Sequence, residues 1–305
     1  MNDTSRLHEL PLPALREDNP RDFLAALGLL RLVQLMWPTC EASLSWVGEQ
    51  HCATLYFPNA VPDCWAENLV AALKNLTETK PSPMFHGDII KAEYKIFRDA
   101  VQRAIDFSYS KHLLAKLPIY LYSSYSSQVG GEGGMVEPSG LSFGNGQSGK
   151  KLLLDVMQLI GDLDSETLIK TLLGNGIAVA AKSLRWNPVE YRPAAYRSHD
   201  PGSKQKGDEN KDYSALNILA FFGITFYPTA AVSSGAKTGG LHWKYRETFF
   251  IWPIWQISLC SDEISTLVCA DPNNWSLASG VACSWRSKRF SSDKSLYFSS
   301  AELNH

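Results

Sequence analysis

The stretch that most constrains the fold is "DNPRDFLAALGLLRLVQLMWP", residues 18–38. Its apolar residues, among them Phe23, Leu24, Leu27, Leu29, Leu30, Val33 and Met36, run nearly all the way round a helix. A helix that is apolar on every side must be buried on every side. The stretch therefore predicts a central helix with the rest of the chain packed around it. Asn19 or Asp18 suits the N-cap, where a side-chain oxygen accepts an orphan N–H. Pro20 suits the first helical position, because its missing N–H has no partner there. Pro38 ends the helix.

Wrapping such a helix takes a sizeable chain. At 305 residues there is enough for one large domain or two ordinary ones. With 45% hydrophobic and 20% charged residues, the composition is that of a globular protein. After the helix, "ASLSWV" and "ATLYFP" alternate with period two and predict a hairpin. Residues 64–79, 88–115 and 150–173 read as helices, the second with alternating charges suited to a solvated face. Between the last two lies "YLYSSYSSQVGGEGGMVEPSGLSFGNGQSG", a long Gly/Ser loop. From about residue 176, "IAVAAKSLRW", "PAAYRS", "GITFYP", "GGLHWKY" and "ETFFIWPIWQISL" are strand-like, with one helix, "DYSALNILAFFG", among them. The expected class is α+β. Residues 1–175 form a helix-rich region with an N-terminal hairpin. Residues 176–305 form a strand-rich region, and the two are one domain or two.

The loop ends in Gly144-x-x-x-x-Gly149-Lys150, most of a phosphate-cradling P-loop. A Walker loop needs Ser or Thr next, to ligate magnesium, and a buried strand before it. Here the next residue is Lys151, and "MVEPSGLSF" is a poor strand. The one candidate for an acidic metal ligand, Asp155, falls in the loop's own helix. An ATPase is not expected. The same loop suits a different task. Backbone N–H groups at a helix start, with Gln147, Lys150 and Lys151, can hold a nucleic-acid phosphate without hydrolysing it.

Other catalytic patterns are equally incomplete. Gly146-Gln147-Ser148-Gly149-Lys150 misses the nucleophile elbow at its last position. Glu132 and Glu137 lie on a Gly-rich loop and form no fixed acid/base pair. His199-Asp200 matches half of a metal phosphohydrolase pair, but His86, Asp88 and His112 stand at no telling spacing from it. A nucleotide or metal-dependent phosphohydrolase built on Gly144–Lys151 or on His199/Asp200 is the alternative reading. The six cysteines form no C-x-x-C pair, which argues against a zinc ribbon. No cofactor or metal is expected. The start "MNDTSRLHELPLP" lacks a signal-peptide pattern, and "LNILAFFGITFYPTAAV" is too short and interrupted to span a bilayer. The expectation is a cytoplasmic protein with reduced thiols.

Net charge is −2, so only local clusters can speak for nucleic acid. From 182 to 206, six basic residues (Lys182, Arg185, Arg192, Arg197, Lys204, Lys206) face two acidic ones, Glu190 and Asp200, a local balance of +4. Trp186, Tyr191 and Tyr196 are interleaved with them. Cations beside flat side chains supply phosphate neutralisation and stacking faces. Arg286, Lys288 and Arg289 in "WRSKRF" form a second cluster, and Lys237, Trp243, Lys244 and Arg246 a third. A fold that brought these clusters together would make a groove.

Several segments resemble one family in order. "DNPRDFLAALGLLRLVQLMWP" resembles the N-terminal signature of CRISPR-associated subunits of type I-G (formerly I-U) systems. "LRWNPVEYRPAAYRSHDPGSKQ", "ALNILAFFGITFYPT" and "FFIWPIW" resemble later stretches of the same family, with Asn187 where its pattern has Asp. The likeness covers residues 17–48 and 184–256. It implies a large-subunit-like, non-catalytic component of an RNA-guided effector (Cascade) complex. The implied partners are guide RNA, target DNA and other effector subunits, with a helicase-nuclease recruited separately. In such complexes guide pairing reads the sequence, while protein subunits hold backbones and read a short motif beside the target. The residues expected to serve are Arg185, Trp186, Arg192, Tyr196, Arg197, Lys204 and Lys206, with Gln147, Lys150 and Lys151 in the Gly-rich loop, and Lys244, Arg246, Arg286 and Arg289 beyond them.

Overall fold

The computed structural model describes residues 6–48, 51–80, 83, 93–128, 136–141, 149–180, 184, 186–188, 211–232, 235–244, 246–277, 280–292 and 295–304. Strand β1 (Arg6–Leu12) leads into helix α1 (Pro20–Met36). Asn19 caps α1, its side chain accepting the Arg21 N–H at 3.0 Å, with Pro20 in the first turn as expected. A 3-10 turn at Pro38–Cys40 follows α1, and β2 (Ser43–Val47) and β3 (Cys52–Pro62) then pair as the expected hairpin. Helices α2 (Trp65–Glu78), α3 (Tyr94–Ser108) and α4 (Leu117–Tyr125) precede the short ribbon of β4 (Ser126–Gln128) and β5 (Val136–Pro138). Next come α5 (Gly149–Asp162), α6 (Ser165–Leu172) and a minimal pair, β6 (Val179–Ala180) with β7 (Lys211–Asp212). Helix α7 (Ser214–Gly223) follows, then the ribbon β8 (Thr229–Val232) and β9 (Gly235–Thr238).

The remainder is β10 (Leu241–Lys244), β11 (Glu247–Trp255), β12 (Leu259–Cys260), α8 (Ser261–Cys269), β13 (Val281–Ser292), β14 (Ser295–Phe298) and β15 (Glu302–Leu303). Two antiparallel sheets dominate: β1-β3-β2-β12, and β10-β11-β13-β14 with β15 on β13. The class is α+β, with helices mostly in the first half and strands mostly in the second. Strand β12, from the second half, closes the first-half sheet by pairing with β2.

Helix α1 is the centre. Phe23, Leu24, Leu27, Leu29, Leu30 and Leu32 have no exposed surface. Burying each such side chain contributes roughly 1.5–3 kcal/mol. Phe23 touches both sheets. It stacks on Trp46 of β2 at 5.9 Å and meets Trp252 and Trp255 of β11 at 5.8 and 6.1 Å. Trp255 also donates its indole N–H to the Leu44 carbonyl at 2.8 Å. One continuous core thus holds residues from Leu12 to Phe298. The 175/176 division marks a change of secondary structure, not a gap between cores.

Helix α7 crosses α1 at backbone contact. A Cβ on Gly28 would lie 1.8 Å from the Leu219 carbonyl oxygen, and one on Gly223 would lie 1.8 Å from that of Leu24. Only glycine at both positions lets the two helices come this close.

A polar network is buried where α1 begins. Arg21 bonds Asp22 at 2.7–2.9 Å and Asp212 at 2.5 Å, and Asn217 donates to Asp212 at 3.1 Å. Burial works against the Arg21 charge, but Asp22 and Asp212 outweigh it and hold the guanidinium above its usual value. Beside this network the Asn19 amide donates to Asn187 at 3.0 Å, which fixes 184–188 against the start of α1.

Several expectations need correction. "GITFYP" is a 3-10 turn at Ile224–Phe226 continuing α7, not a strand. The predicted 150–173 helix is two helices, because Asp164 caps a new start by accepting the Thr167 N–H at 2.7 Å. The helix over 88–115 is described only as Tyr94–Ser108. Helix α4 occupies the start of the supposed loop, and α8 went unpredicted. Within "IAVAAKSLRW" the described strand is Val179–Ala180.

Candidate nucleic-acid interface

The five-stranded sheet turns Phe250, Trp252 and Ile254 into the core. Alternation along a strand then sends Glu247, Phe249 and Ile251 to the other face. The register sets His242 opposite Phe249 and Lys244 opposite Glu247 on one side, and Lys288 opposite Phe249 and Arg286 opposite Ile251 on the other. The outer face therefore gathers side chains from three strands.

The turn at Pro272–Asn274 and the residues after it wall this face into a groove of about 720 Å³. Its lining includes Trp243, Lys244, Phe249, Trp275 and Arg286. Trp243 is 73% exposed. The Arg286 guanidinium lies 5.6 Å from the Phe249 ring centroid, and its Nε donates to Glu302 at 2.8 Å. Lys288 pairs with Glu247. Burial lowers the pKa of His242, Lys237 adds to this, and nearby Asp271 offsets only part of it. The groove thus offers cations, flat faces and polar groups together with one acid, Asp271, while Glu302 and Glu247 beside it are engaged by Arg286 and Lys288.

Of the predicted residues, Lys244 and Arg286 meet here from two separate clusters. Arg246 is exposed in the two-residue turn between β10 and β11 with φ 64°. Positive φ suits that tight hairpin but is uncommon for a long side chain. Arg289 points elsewhere. It is half-buried, donates to the Gly140 carbonyl at 2.7 Å, and burial lowers its pKa. It ties the loop before α5 to the sheet. Trp186 is a correction: it is fully buried and donates its indole N–H to the Leu141 carbonyl at 2.9 Å, so its ring offers no stacking face.

Arg185, Arg192, Tyr196, Arg197, Lys204, Lys206 and Gln147 lie outside the described residues, as do His199, Asp200 and Gly144. Lys150 and Lys151 fall in the first turn of α5, and their side chains are likewise outside. The ends of the 189–210 stretch are placed. Asn187 bonds Asn19 and Asp212 bonds Arg21, so both ends meet at the start of α1. A cavity of about 350 Å³ lies there, lined in part by Arg16, Arg21, Asn187 and Tyr213.

Sequence reasoning missed His242, Phe249 and Trp275 as groove residues. The alternation of "ETFFIWPIW" held the signal for Phe249, since its neighbour Phe250 had to face the core. No protein-family model matches the chain, and no curated protein matches it. No helix of the described residues is long and apolar enough to cross a membrane.

Proposed function

We propose that this chain is a non-catalytic, nucleic-acid-binding subunit of an RNA-guided CRISPR interference complex. It acts in the cytoplasm, with guide RNA, target DNA and other effector subunits as partners. The observation that carries the reading is the groove where Lys244 and Arg286 meet beside Trp243 and Phe249. Cations in such a groove neutralise phosphates, and flat side chains take base faces whatever the sequence. The Arg286–Glu302 pair is no obstacle, because Glu302 is exposed and a surface ion pair contributes only about 0–1 kcal/mol. A phosphate can take the place of the carboxylate.

The resemblance over 17–48 and 184–256 supplies the kind of complex. The groove and the basic stretch around Arg192 and Arg197 hold backbone, and Gln147, Lys150 and Lys151 form the loop that meets a phosphate or a target-adjacent motif. Cutting belongs to the separately recruited helicase-nuclease.

The test is anisotropy of labelled single-stranded RNA with the purified full chain across a salt series. Replacing Lys244 and Arg286 together by Gln is expected to weaken binding. It should also reduce the salt slope by about 1.4, at about 0.7 per phosphate contact on single strands. Unchanged affinity and slope would remove the groove from the interface. Recovery of the chain from its host without RNA or other CRISPR subunits would overturn the complex.

A further inference from the structure

Three side chains from distant parts of the chain converge beside the start of α1. Glu17 lies in the lead-in to α1, His51 in the β2–β3 turn and Cys283 on β13. One carboxylate oxygen, one imidazole nitrogen and the thiol all lie within 4.8 Å of one another. The geometry points to a transition-metal site, and its donor set selects zinc. Thiolate, imidazole and carboxylate together match the borderline-soft character of Zn²⁺. The expectation of no metal, drawn from the absence of a C-x-x-C pair, looked for local spacing. This site is assembled by tertiary contact alone.

Two further features bear on it. First, Glu17 and His51 form an ion pair, so the carboxylate and the imidazole already share one edge of the site. Second, Gln256 lies 3.4 Å from His51 Nε2. Turned so that its carbonyl faces the ring, it accepts the Nε2–H and leaves Nδ1 free to ligate. Such an outer partner is the usual way a ligating histidine is oriented.

Tetrahedral Zn²⁺ sets its ligand atoms about 3.3–3.8 Å apart, so Glu17 and His51, now in direct contact, have to part to admit the ion, with the Cys283 thiol within reach. Three protein ligands leave a fourth position for water. Cys283 also lines the nucleic-acid groove, which places the cation under its floor. The inference does not depend on the groove's function.

The experiment uses the full chain, purified without metal-affinity steps and analysed by elemental mass spectrometry. One zinc per chain is expected. Cobalt exchanged for the zinc should give a thiolate charge-transfer band that Cys283→Ser abolishes and Cys52→Ser keeps. His51→Ala should lower zinc affinity at least tenfold. If Cys283→Ser does not fold, Glu17→Gln and His51→Ala carry the test through the same affinity. Wild-type chain that holds no zinc, shows no Tm shift on zinc addition and gives no thiolate–cobalt band would overturn the site. So would a band that survives Cys283→Ser.

Discussion

Arg21 and Arg31 sit ten residues apart on the same helix, and both are almost fully buried, at 4% and 5% exposure. They solve burial in opposite ways. Arg21 is gripped by Asp22 and Asp212, and its charge is reinforced. Arg31 lies between the rings of Tyr120 and Phe226, 4.3 and 4.1 Å from their centroids, and its Nε has no hydrogen-bond partner among the described residues. Burial lowers its pKa, and Tyr120 and Asp262 restore only part. A ring face attracts a cation by about 0.5–2 kcal/mol, well short of two buried carboxylates. Arg21 is thus part of a polar joint that fastens 211–217 to the start of α1. Arg31 is packing with a charge on its end.

The sharpest test of that contrast is Arg21→Met. It leaves Asp22 and Asp212 buried, close and unpaired, and should cost about 3–5 kcal/mol in urea unfolding. A loss below 1 kcal/mol would break the comparison from this side.

Gly28 lies on α1 between the two arginines. Gly28→Ala forces a methyl into the Leu219 carbonyl and should cost about 3 kcal/mol. Gly223→Ala should cost a similar amount. The double variant should fall short of the sum, because both act on one crossing.

Asp164 provides the exposed reference. Its carboxylate accepts the Thr167 N–H and hydroxyl, both at 2.7 Å, and these bonds lower its pKa below the usual 3.8. Asp164→Ala should remove about 1 kcal/mol near neutral pH, the usual worth of an N-cap. A depressed folded pKa gives stability that is present above the unfolded value and lost as pH falls through the folded one. The difference between wild type and Asp164→Ala should therefore vanish in strong acid. A difference that persists undiminished in strong acid would mean that the carboxylate is not the source.

Arg31→Met should have the smallest effect, within about 1 kcal/mol of wild type, since an apolar isostere loses two ring contacts and the attraction of Asp262 but strands no paired carboxylate. If it matched Arg21→Met, the two arginines would be equivalent and the contrast would fall.

What was legible in the sequence was local. Asn19-Pro20 announced the cap of α1, and the all-round apolar run announced its burial. Period two in "ASLSWV" and "ATLYFP" announced the hairpin. These features depend on residues within a few positions of one another, where backbone sterics and helical or strand periodicity act directly. Half the groove was legible in the same way, as basic residues beside aromatics around Lys244 and Arg286. Trp186 shows the limit. An indole among arginines reads equally well as a stacking face or as core, and only the Leu141 carbonyl at its N–H decides.

Tertiary structure decided the rest because it depends on which distant segments pair. Nothing near Lys244 states that β13 will lie across β11 from it, and nothing near Arg289 states that its guanidinium will bond Gly140. The joint of Arg21 with Asp212 and the meeting of Glu17, His51 and Cys283 are of the same kind. The sequence by itself determined that a buried central helix exists and where it starts. Close packing of α7 and two sheets against that helix determined which charges are brought together, and so which of them can act.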